Sequence, residues 1–212
     1  MLGRTHLAVG VAAALALFPP DNIPALVVGT AAGALGGLLP DIDIGTSDSH
    51  KKADIVVAVT VVIAAVVIIL EWIFHIGIKN YLMNNESIVQ VLGPTVIFIA
   101  VGAFGKGTKH RTFMHSIVGL IIFTACIGIA MPTAAPYFAV GFISHIFIDL
   151  LNKKKVQLIY PMKKGFCFSV CSSKGLANRV LFISASGIAA ACIIIALWRI
   201  AVQAAQNYKI GF

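Results

Sequence analysis

The sequence predicts an all-α integral membrane protein: one domain over residues 1–212, built as a polytopic bundle of about six to seven transmembrane segments. Three observations carry this prediction. Of 212 residues, 59% are hydrophobic and 11% charged, whereas soluble domains carry about 25% charged residues. The mean hydropathy is +0.96, and a folded globule of this size leaves too much surface exposed to hide that much apolar material. Apolar stretches of near-spanning length also recur along the whole chain. Together these exclude a soluble enzyme, a disordered chain and a coiled coil.

The stretches run over 5–18, 23–39, 55–74, 88–104, 113–131, 134–151 and 180–204. A full span needs about 20 residues, and about 17 at minimum. The third, fifth, sixth and seventh meet that comfortably. The first is short, covering only about 21 Å at the helical rise. It is joined to the second by Pro19-Pro20-Asp21-Asn22, and the pair reads as two short spans or a re-entrant hairpin. The opening Met1-Leu2-Gly3-Arg4 mimics a secretion signal. The expectation is that it is retained, because His6 inside it belongs to the polar set described below. The polar stretch 152–179 places apolar and aromatic residues on both sides of Pro161-Met162-Lys163-Lys164-Gly165. That pattern predicts a small hairpin, either a lid over the membrane surface or an ordered connector.

Cys126 and Cys192 sit in apolar runs as core fillers. Cys167 and Cys171 form a C-x3-C pair with no second pair to complete a zinc site. Both are read as free thiols in a reducing compartment.

The net charge is +8, from 16 basic and 8 acidic residues. Basic residues gather in the cytoplasmic loops of membrane proteins, which accounts for the excess better than nucleic acid does, and no direct nucleic-acid binding is expected. With the expected spans, thirteen of the basic residues fall on the N-terminal side and three, Lys79, Arg199 and Lys209, on the other. The N-terminus is therefore expected in the cytoplasm, in a bacterial-type inner membrane.

The informative residues are the polar ones inside apolar segments, since an ionisable group at bilayer-centre depth costs at least about 2.5 kcal/mol. Leu38-Leu39-Pro40-Asp41-Ile42-Asp43 ends the second segment. Pro40 breaks the helix, and Asp41 and Asp43 point the same way if the chain is extended, which requires a cation or a proton between them. A helix-end turn would also favour Asp. Gly141 to Asp149 ends the sixth segment, with His145 and Asp149 at i and i+4 on one helix face. That spacing suits two metal ligands, or a His–Asp hydrogen bond. His110 and His115 open the fifth segment. On a continuous helix they would point about 140° apart, so both face one site only if His110 precedes the helix. Arg111 between them could hold an anion or serve topology. His6 begins the first segment on the same side.

Four segments thus bring His6, Asp41, Asp43, His110, His115, His145 and Asp149 to one membrane face. Imidazole with carboxylate suits a divalent transition metal, with Zn favoured and Mn or Fe also fitting. Seven candidates exceed one tetrahedral site and could serve a dinuclear one, a common arrangement for phosphoester hydrolysis. His50, in a polar loop, and His75, on the far side, stand outside this set.

These motifs resemble those of the YdjM-like family of inner-membrane metal-dependent hydrolases, also described as LexA-binding or LexA-regulated. The matches are Thr5-His6, Leu38 to Asp43, Ser47, His110 to Ser116, Gly141 to Asp149, Tyr160-Pro161 and Gly175 to Arg179. They span residues 5–180 in order. Thr112 stands where the family usually has Gly, Met114 where it has Thr, and Asn178 where Glu is common. The layout is also similar to that of zinc-dependent phospholipases C and nucleases. The resemblance implies a hydrolase acting through metal-activated water. His6, Asp41, Asp43, His115, His145 and Asp149 would be ligands and His110 a ligand or proton donor. Arg111, Ser116 and the lysines at 153–155 and 163–164 would hold a phosphate. Membrane lipids are the expected surroundings, and a lipid phosphoester or other small molecule the expected substrate. Two other readings stay open. One is a structural cluster in a protein that docks a cytosolic partner. The other is a divalent-cation transporter, disfavoured because the far halves of the third, fifth and seventh segments offer almost no polar residues.

Overall fold

Local sequence accounts for several of the element boundaries. The computed structural model describes residues 1–43, 66, 68–77, 80, 88–172 and 175–210. Helix α1 (Gly3–Leu17) ends at Phe18, ahead of Pro19 and Pro20, where proline removes the donors a helix needs. Asn22 caps α2 (Ile23–Leu38), its side-chain oxygen accepting the Ala25 N–H at 2.8 Å, and Pro24 lies in the first turn. A 3-10 turn, Leu39–Asp43, follows. Helix α3 (Ile88–Gly107) contains Pro94. Helices α4 (Ile117–Ala130), α5 (Ala135–Leu150) and α6 (Leu176–Ile210) complete the described bundle. A further helical stretch covers 68–74.

Most of these match the expected stretches, and among the described residues three helices are long and apolar enough to cross a membrane: Ile23–Asp41, Gln90–Gly107 and Leu176–Asn207. The fifth stretch differs in detail. Phe113–His115 forms a separate 3-10 turn and Ser116 opens the helix, so only 14 residues are α-helical, about 21 Å of rise. The sixth gives 16 helical residues, about 24 Å. Most of the third stretch lies outside the described residues. All four cysteines are free.

Packing centres on α1, α2 and α5, and it depends on glycine. A Cβ at Gly36 would collide with the Phe138 carbonyl, and one at Gly141 with the Gly33 carbonyl. A Cβ at Gly37 would lie 2.6 Å from the His6 carbonyl. Small residues bring backbones close where lipid gives no hydrophobic drive between helices. Beside this contact, Phe113, Met114, Phe123, Phe138 and Phe142 form one core cluster. Ala185, Ala189 and Ala196 of α6 meet Ala8 and Ala12 of α1 in another. The outward faces of α3 and α6 remain apolar, with Val96 63% and Trp198 71% exposed. Such faces suit hydrocarbon rather than water.

The stretch 152–172 forms the expected hairpin. Val156 and Phe166 exchange both backbone hydrogen bonds at 2.8 Å. The Phe168 N–H donates to the Leu150 carbonyl at 2.7 Å, tying the return arm to the end of α5.

Candidate metal centre

Chain direction assembles the site. The start of α1, the end of α2, the approach to α4 and the end of α5 all lie at one end of the bundle, and each delivers a buried polar residue. His6, His115 and His145 are fully buried, Asp149 is 1% exposed and Asp41 7%.

The anchor is His145. Its Nδ1 lies 2.7 Å from the Gly37 carbonyl. Gly37 lies in the last turn of α2, where carbonyls begin to run out of helical partners, and Pro40, three residues on, has no N–H to offer. A carbonyl only accepts, so the His145 proton sits on Nδ1, and the neutral ring turns its Nε2 lone pair into the site. Metal-ligating histidines are held in this way by a second partner.

Around that lone pair the other donors converge. His115 Nε2 lies 3.2 Å from His145 Nε2. Asp41 Oδ1 lies 3.7 Å from His145 Nε2 and 3.8 Å from His115 Nε2. Asp149 divides its two oxygens: Oδ1 is 3.3 Å from His6 Nε2 and Oδ2 is 3.5 Å from His115 Nε2. The His6 ring stacks on His145 with centroids 3.8 Å apart, and neither of its buried nitrogens makes a hydrogen bond. Donors about 2.0–2.1 Å from a tetrahedral ion stand about 3.3 Å from one another. The observed spacings of 3.2 to 3.8 Å bracket that value, and orphaned buried nitrogens such as those of His6 call for a partner. The residues therefore fit a metal ion. Among the described residues two groups of three have ligand atoms within 4.8 Å of one another, His6 with His145 and Asp149, and Asp41 with His115 and His145.

The surroundings neutralise and orient Asp149. The Arg111 guanidinium donates from Nη2 to its Oδ2 at 2.8 Å, and the Met1 ammonium lies 2.9 Å from its Oδ1. Arg111 reaches this position with a left-handed backbone, φ 66°, a conformation costly for a non-glycine residue and associated with functional sites. It is held by the hairpin: Nη1 donates to the Lys154 carbonyl at 2.7 Å, and the Arg111 carbonyl accepts the Gln157 N–H at 2.9 Å.

The other sequence-predicted residues fall as follows. His110 precedes the helix, as a shared site requires. Its half-buried ring meets His115 edge-on with centroids 5.1 Å apart, and it is in neither group of three. The Asp43 side chain lies outside the described residues, as do His50 and Ser47. His75 is exposed and belongs to neither group. Ser116 is buried, but its hydroxyl donates to the Phe113 carbonyl at 2.7 Å and accepts the Gly119 N–H at 3.1 Å. It is the N-cap of α4. Ser116→Ala is expected to cost about 1 kcal/mol and leave metal content unchanged, read by thermal unfolding in detergent beside elemental analysis.

Two contributors were not assigned to the site by the sequence reading, although Asn178 stood out there as a departure from the family pattern. The Gly37 carbonyl could not be found, because backbone groups carry no residue-type signal. Asn178, 3% exposed, accepts the Leu2 N–H and the Thr5 hydroxyl at 3.2 and 3.0 Å and so fixes the turn bearing His6. A polar residue in the first turn of the longest apolar helix was the available clue.

With this geometry in view, comparison with known proteins places the chain. The model of a family described as YdjM inner membrane protein matches residues 1–210. No curated protein and no solved structure matches significantly.

Proposed function

The chain belongs to the YdjM inner membrane protein family, and from that premise we propose that it is a multi-pass, metal-dependent hydrolase. Its site opens to the cytoplasmic leaflet, and its favoured substrate is the phosphoester of a lipid or another membrane-associated molecule. One observation carries the reading: buried imidazole and carboxylate donors converge at ligand spacing around a histidine whose tautomer is set by a backbone carbonyl. The imidazole-rich set favours zinc over Mg or Ca. When bound, such an ion supplies a water acid enough to ionise near neutral pH.

The chain's own residues divide the remaining work. His145 has only Nε2 to offer, so it serves one ion at a time, and a second ion would rely on Asp41, His115 and the far oxygen of Asp149. Arg111 holds the Asp149 carboxylate in place. His110, half-buried beside His115, would be a further ligand or the proton donor. The exposed lysines at 153–155 and 163–164 put positive charge on the hairpin that holds Arg111, which suits an anionic substrate. The cytoplasmic orientation rests on the bias of thirteen basic residues against three.

Elemental analysis of detergent-purified protein, beside a His145→Ala/Asp149→Ala double variant, tests the metal. One or two equivalents of Zn, Mn or Fe are expected in the parent and fewer in the variant. A well-folded parent that stays metal-free after metal is added back overturns the reading. A metal-loaded parent that releases neither headgroup nor phosphate across a phospholipid screen would leave a structural cluster instead.

A further inference from the structure

The hairpin over the site presents an unusual surface. Lys153, Lys154, Lys155, Lys163 and Lys164 are all exposed, and none pairs with a carboxylate among the described residues. No Asp or Glu follows Asp149 anywhere in the chain. Interleaved with these cations are apolar side chains turned outward: Met162 is 52% exposed at the tip, Phe166 48%, Phe168 64% and Val170 72% on the return arm. The return arm leads within a few residues to Leu176 and Val180 of α6, 77% and 55% exposed, on a helix long and apolar enough to cross a membrane. The apolar face of the hairpin is therefore continuous along the chain with a helix apolar enough to cross a membrane, and its cations are interleaved with that face.

We propose that the hairpin 152–171 is a seat for anionic phospholipid headgroups of the surrounding bilayer. Met162, Phe166 and Phe168 would dip below the headgroups while the five lysines contact their phosphates. Each lysine near an anionic surface adds attraction that falls off with salt, and apolar side chains in the interface add to it. Neutral headgroups would hold the hairpin weakly. The inference concerns the hairpin surface alone and does not depend on catalysis at the metal centre.

The seat has a route to the site. Arg111 contacts the hairpin at Lys154 and Gln157 and contacts Asp149 with its other nitrogen, so the hairpin's position sets that of Arg111.

The test uses the full chain in lipid nanodiscs, in a Trp72→Phe/Trp198→Phe background carrying Met162→Trp as the single indole. Phosphatidylglycerol discs are compared with phosphatidylcholine discs, each with and without brominated acyl chains. Blue-shifted emission and strong bromine quenching are expected in phosphatidylglycerol. The membrane-seated population should fall about tenfold when the five lysines become glutamine, or when salt is raised with the lysines intact. The salt arm needs no lysine variant, so misfolding of that variant cannot hide the result. Equal quenching in both lipids at both salt levels overturns the proposal, as does a water-exposed indole throughout. A shift produced by inorganic phosphate in phosphatidylcholine discs also overturns it, assigning the lysines to a free anion.

Discussion

Asp149→Asn is expected to abolish metal binding while leaving the side chain's volume unchanged. Four groups gather on this one carboxylate: the Met1 ammonium, His6, Arg111 and His115, at 2.9, 3.3, 2.8 and 3.5 Å. The amide removes the charge that balances them. Breaking a buried ion pair from one side costs about 3–5 kcal/mol, and losing a ligand should weaken metal binding beyond the 10–100-fold typical of outer-sphere substitutions. The check is thermal unfolding in detergent with and without added zinc. A ligand at about 100 times its dissociation constant stabilises by about 2.7 kcal/mol, so the parent's Tm should rise with zinc and the variant's should not. An Asn variant that responds to zinc like the parent would remove Asp149 from the ligand set. Arg111→Lys should fall between them, about 10–100-fold weaker for metal, because one ammonium cannot reach both Asp149 and the Lys154 carbonyl.

The second large effect is expected at residues that carry no side chain. Gly36→Ala and Gly141→Ala each place a methyl group on a neighbouring helix's carbonyl, and a backbone cannot swing aside as a flexible side chain can. Overpacking of this kind costs about 1–3 kcal/mol, visible as a lowered Tm. Gly93→Ala and Gly102→Ala on α3 supply the control, since nothing lies within 4 Å of either added methyl. These should be neutral or slightly stabilising, given alanine's better helix propensity. If all four behave alike, close packing of α1, α2 and α5 is not what holds the bundle. Gly37→Ala adds a test of the site, because its methyl would press on the His6 carbonyl at 2.6 Å. It should weaken metal binding as well as stability.

Much of this was legible in the residues. Apolar run lengths located α1, α2, α3, α5 and α6 to within a few positions, because burial in lipid demands long uninterrupted apolar helices. The i, i+4 spacing put His145 and Asp149 on one face, and segment parity carried His6, Asp41 and His115 to the same end. The stretch 113–131 was less readable. A continuous apolar run gives no sign that Phe113–His115 is a 3-10 turn, or that Ser116, a plausible phosphate ligand on paper, is instead a helix cap.

Composition and spacing were enough to predict a helical membrane protein with four of its histidines and three of its aspartates gathered at one face, since hydrophobic length and helical period are properties of the chain read in order. They could not say which of seven candidates converge, because distances of 3 to 4 Å between residues 30 to 143 positions apart arise only when helices pack. Glycine contacts between α1, α2 and α5 set that packing. The tautomer of His145 depends on a carbonyl that no residue type announces, and the link from Arg111 to both Asp149 and the hairpin depends on a left-handed backbone. Those are consequences of three-dimensional proximity, and they make a list of polar residues into a site.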